Sequence, residues 1–137
     1  MASALAHDPS IHRLELDSHG GDAGQGLALA ALVEKYSLST FVRRECLSAC
    51  VLVFAAGHER LLMAGAKLGY HRAQSHVWDD IIDNDGQFNQ EYTMFLISRG
   101  VQEDFARKAY SVPYDDMWYP SVNELLTAAV ITGKPLP

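Results

Sequence analysis

No stretch of this 137-residue chain approaches the ~20 consecutive apolar residues of a membrane-spanning helix, so a helical span is not expected. Positive charge is also short: 11 Lys and Arg stand against 17 Asp and Glu, a formal net charge of -6. Without a basic face to follow phosphates, nucleic acid is not an expected partner. Cysteine is scarce. Two residues, Cys46 and Cys50, allow one internal disulfide at most, and a lone C-x3-C is not a zinc pattern. The six histidines are dispersed, with no H-x3-H pair, so neither a metal nor a cofactor is expected. "MASALAHDPSIHRLELDS" lacks the basic start and apolar core of a secretory leader. The chain as written is therefore expected in the cytoplasm; a trimmed leader would place it in the periplasm. There are no repeats, low-complexity tracts or linkers, and the length suits one domain over 1–137.

What remains is an ordinary globular composition, 48% hydrophobic and 20% charged, with strands and helices in alternation. "IHRLELDS" alternates Leu14 and Leu16 with charged residues and reads as a strand. The glycine turn "SHGGDAGQG" follows. "LALAALVEKY" puts Leu29, Leu32, Val33 and Tyr36 on one helical face. "STFVRR" reads as a short strand. "SACVLVFAAG" reads as a helix apolar all round, hence buried, with Gly57 as its C-terminal cap. "RLLMA" and "AKLGYH" read as short extended segments and "DDIIDNDGQ" as a loop. "FNQEYTMFLISRG" and "QEDFARKAY" read as helices, "DDMWY" as a strand. "SVNELLTAAV" reads as a helix opened by a Ser121–Glu124 capping box. This order predicts an α/β domain with a mostly parallel sheet.

Three features carry chemistry. The glycines of "SHGGD" let the backbone turn sharply and aim N–H groups into a cleft, or simply make a tight strand-to-helix turn. Ser48 stands where the chain enters the apolar helix. It reads as a plain N-cap, or as a nucleophile whose oxyanion would meet the N–H groups of Ala49 and Gly21. A serine needs a base, and His71, ending "KLGYH" at a strand's C-terminal edge, is better placed than His19, His58 or His76. Asp115 and Asp116 open "DDMWY" as a solvated turn or as the acid that orients a histidine; in a strand only one of them faces it. Cys46 and Cys50 are rival nucleophiles, although Cys50 starts the apolar run. They are expected as reduced thiols in the chain as written, and as a disulfide around Ser48 if the chain is exported.

"LELDSHGGDAGQGLALAALV", "CLSACVLVFAAGHERLLMAGAKLGYH" and "DDMWYPSVNELLTAAVIT", in this order, resemble the Clp protease proteolytic subunit and small periplasmic ClpP-like proteins of the ClpP/crotonase superfamily. The resemblance runs from about Ile11 to Thr132. His71 follows Ser48 by 23 residues and Asp116 follows His71 by 45, close to that family's spacing. The resemblance implies a serine peptidase with Ser48 as nucleophile, His71 as general base, Asp116 as orienting acid, and Gly21 and Ala49 as oxyanion hole. It also implies a peptide or unfolded-protein substrate and a homo-oligomer. Departures are visible. His19 stands where that family's turn has proline, the first strand unit is missing, and the oligomer-building handle, at Trp78 to Asn89, matches poorly. A catalytically silent peptide-binding or assembly module and a crotonase-type acyl-CoA enzyme are the alternative readings.

Overall fold

A computed structural model describes residues 2–77, 80–83 and 87–137. Chain order is α1 (Ala2–His7), β1 (Arg13–Ser18), α2 (Ala23–Lys35), β2 (Ser39–Leu47), α3 (Cys50–Ala55), β3 (Arg60–Leu62), β4 (Lys67–Gly69), β5 (Ser75–Val77), β6 (Asp80–Asp83), α4 (Gln87–Ser98), α5 (Glu103–Ala109) and α6 (Val122–Thr127). Among the described residues no helix is long and apolar enough to cross a membrane.

The main sheet is parallel throughout. β1 pairs with the first part of β2 (Arg13↔Ser39 to Leu16↔Val42), with an irregularity before Ser18↔Cys46. On its other side β2 is flanked twice, by β3 along its start (Thr40↔Arg60) and by β4 along its end (Glu45↔Lys67, Leu47↔Gly69). Sequence alternation located β1, but β2 runs three residues beyond "STFVRR". The extension is the part that β4 holds, a pairing that local pattern cannot reveal.

α3 fills the core. Every residue from Cys50 to Ala55 is buried, as its unbroken apolar sequence requires. α2 meets it with Gly26, Ala30 and Val33, not with a face centred on Leu29 and Leu32. The reason is close approach: a β-carbon on Gly26 would stand 3.0 Å from the Ala49 carbonyl oxygen. α2 also begins before "LALAALVEKY", because the Asp22 side chain caps it by accepting from the Gln25 N–H. The end of α3 is closed by Arg99, which donates to the Ala55 and Ala56 carbonyls. Gly57 lies just past this end, tight against Thr40, whose hydroxyl donates to the Phe54 carbonyl.

Buried Arg60 donates to the Val130, Gly57 and Ala129 carbonyls and ties the C-terminal segment to β3. Its burial, with Arg99 nearby, pulls its guanidinium pKa below the ordinary value. α6 carries both halves of the expected capping box.

Two expectations are corrected. "DDMWY" is not a strand: Asp116 N–H donates to the Pro113 carbonyl in a turn, and only Trp118 joins another segment, in a bridge with Tyr70. Within "DDIIDNDGQ", expected as a loop, Asp80–Asp83 pairs antiparallel with β5; the branched Ile81 and Ile82 suit extended backbone. Trp78, Asp79 and residues 84–86, part of the expected handle, lie outside the described residues.

Candidate active site

The site forms where the parallel strands end. Beyond Leu47↔Gly69 the ladder adds one rung, Ser48 N–H to the Gly69 carbonyl at 3.0 Å. That rung sets Ser48 beside the segment that continues from β4 into His71. Ser48 itself takes φ 57°, a left-handed conformation unusual for a residue with a side chain. The turn swings the chain from β2 straight into α3. Ser48 does not serve as a side-chain cap: the N-cap of α3 is Ala49, with no side-chain cap bond.

His71 Nε2 lies 2.7 Å from Ser48 Oγ. His71 Nδ1 lies 3.1 Å from the main-chain carbonyl oxygen of Asp116. The expected Asp116 carboxylate faces elsewhere, and its Oδ1 accepts the Met117 N–H at 2.8 Å. The turn that replaces the expected strand explains this, since a strand register no longer dictates which way the side chain points. Asp115 is exposed. Tyr114, which no motif singles out, stacks on the His71 ring with centroids 5.3 Å apart and planes 16° off parallel.

The glycine turn closes the other side. A β-carbon on Gly20 would fall 2.7 Å from Ser48 Cβ, 2.8 Å from the Leu47 carbonyl oxygen and 3.3 Å from the Ala49 nitrogen. Gly20, at φ 105°, is thus pressed under the Ser48 turn, whereas Gly21 has open space at its α-carbon. Gly21 and Ser48 line one cleft of ≈ 450 Å³, walled by Ala73, Phe88, Tyr92 and Tyr114. Ala49 follows Ser48 at the start of α3, where first-turn N–H groups have no partner within the helix. The sequence pointed to Gly21 and missed Gly20; the doubled glycine was the available signal, but which of the two is squeezed is a tertiary fact.

Cys46 and Cys50 are joined in a disulfide that spans Ser48, with a Cα separation of 5.3 Å. This corrects the expectation of reduced thiols and removes both sulfurs as rival nucleophiles. The cause is the Ser48 turn, which brings the end of β2 and the start of α3 to bridging distance. His19 is exposed and pairs with Glu45. His58 is exposed beyond α3. His76 lies in β5, separate from the main sheet. Among the described residues no group of three or more His, Cys, Asp or Glu is arranged to hold a metal ion.

No protein-family model matches the sequence, and no curated protein sequence matches it. Solved structures do match in fold. A mutant of the 1510-N membrane-bound stomatin-specific protease superposes with a TM-score of 0.69 at 16% identity, over 95% of this chain and 67% of that one. A second structure, described only as that of an enzyme, gives a TM-score of 0.73 at 10% identity, over 99% of this chain and 84% of that one. At these identities the likeness is one of fold: the chain shares with these structures an α/β architecture built on a mainly parallel sheet.

Proposed function

We propose that this chain is a ClpP-like serine peptidase that hydrolyses peptide bonds through an acyl-enzyme. The observation that carries the reading is the 2.7 Å approach of His71 Nε2 to Ser48 Oγ, at the mouth of the cleft and at the C-terminal edge of the sheet. Ser48 Oγ attacks the scissile carbonyl carbon while its proton passes to His71 Nε2. The N–H groups of Gly21 and Ala49 take the negative charge that develops on the carbonyl oxygen. Collapse of the adduct breaks the C–N bond, and the leaving amine takes the proton from Nε2. Water then repeats the sequence, releasing the acid and restoring Ser48. Where the resemblance implies an orienting carboxylate, Asp116 presents its main-chain carbonyl to His71 Nδ1 instead.

A fluorophosphonate probe with intact-mass detection tests the reading. Wild-type protein is expected to gain one adduct, mapped to Ser48, and Ser48→Ala to gain none. Absence of labelling in folded wild type, with acyl-CoA binding saturably instead, would replace the peptidase by a crotonase-type enzyme. Absence of both would leave a silent binding module.

A further inference from the structure

The peptidase reading leaves open what orients His71. We infer that this work is done by the main-chain carbonyl of Asp116 together with the ring of Tyr114, and not by a carboxylate. Both groups sit on one arch, residues 112–118, that straddles the histidine. Tyr70, just before His71, exchanges two main-chain hydrogen bonds with Trp118, each 2.9 Å. Arg72, just after it, donates its N–H to the Val112 carbonyl at 2.9 Å. The segment between those anchors must pass over His71, and it is tightened by the Asp116-to-Pro113 turn.

A carbonyl oxygen can only accept. At 3.1 Å from Asp116 O, His71 Nδ1 must therefore be the protonated nitrogen. In the neutral ring, Nε2 is then left with its lone pair facing the Ser48 hydroxyl, the tautomer a general base requires. The Asp116 carboxylate is already engaged with the Met117 N–H. Two in-plane hydrogen bonds do not stop an imidazole from tilting out of its plane. The stacked Tyr114 ring covers one face and blocks that tilt. Tyr114 is 47% exposed and lines the cleft, so nothing in the core demands an aromatic residue there.

The test is carried out on the full chain labelled with ¹⁵N-histidine. Long-range ¹H–¹⁵N spectra read the His71 tautomer, and fluorophosphonate acylation gives the rate. Wild type and Asp116→Asn should both show a single Nδ1–H tautomer at His71, and Asp116→Asn should lose no more than about tenfold in acylation. Tyr114→Leu should lose about tenfold and show a mixed tautomer signal, while Tyr114→Phe keeps the wild-type signature and rate. A loss of about 10⁴ in Asp116→Asn, the size seen when a triad carboxylate is removed, would overturn the inference. So would a Tyr114→Leu variant with wild-type rate and tautomer. If wild type is never labelled, the peptidase reading falls, yet the tautomer spectra of the same four proteins still decide whether the arch orients His71.

Discussion

Gly20 and Ser48 are packed so closely that a β-carbon on the glycine would stand 2.7 Å from the serine's own β-carbon. The glycine turn is thus a floor under the Ser48 turn. Gly20→Ala combines this clash with a left-handed φ and should displace Ser48. Loss of fluorophosphonate labelling and a drop in stability of about 2 kcal/mol or more are expected. Gly21→Ala meets only conformational strain, since nothing lies within 4 Å of its would-be β-carbon. It should cost about 1 kcal/mol in a denaturant melt. Equal damage from the two would contradict the assigned packing.

Ser48 is held at φ 57°, where glycine is at ease and serine is not. Ser48→Gly should abolish acylation yet be more stable than Ser48→Ala by about 1 kcal/mol, measured by urea denaturation of the two inactive variants. Such a gain at the cost of activity is the mark of a backbone shaped for chemistry.

The Cys46–Cys50 bridge closes a small loop around Ser48. Loop-closure entropy for so short a ring gives about 2 kcal/mol of stabilisation. Addition of a thiol reductant should lower the unfolding free energy by that amount, read from the denaturant curves with and without reductant. Protein recovered from an oxidising compartment should show no alkylatable thiol before reduction. Two free thiols in that material would refute the bridge.

Glu124 reports on pH. Its carboxylate accepts the Ser121 N–H in the capping box, and this bond holds its pKa below the ordinary value of 4.5. A lowered folded pKa means that the contribution is complete above the unfolded value and is lost as pH falls through the folded one. Amide exchange in α6 should therefore speed up, beyond the intrinsic change, as pH falls below the ordinary value of 4.5 and through the lowered folded one. Glu124→Gln keeps an acceptor at this position without the titration, so its α6 protection should stay flat over that range. An identical pH response in both proteins would show that Glu124 is not the group responsible.

Local order was readable wherever a residue's role depends on its near neighbours in sequence. The alternation around Leu14 and Leu16 located β1, the unbroken apolar run located α3, and Ser121 with Glu124 located the start of α6. Ser48 and His71 were legible as candidates because each closes a strand segment, and parallel strands deliver such ends to a common edge. Distances across the chain were not legible. Whether Asp116 meets His71 with its carboxylate or its carbonyl depends on an arch anchored by Tyr70–Trp118 and Arg72–Val112, bonds between segments some 40 residues apart. Tyr114 has no sequence signal because its partner is a single exposed ring contact, not a periodic face. The disulfide and the pressure of Gly20 on Ser48 both follow from the left-handed turn at Ser48, a conformation that no preference of serine predicts and that only the surrounding packing enforces.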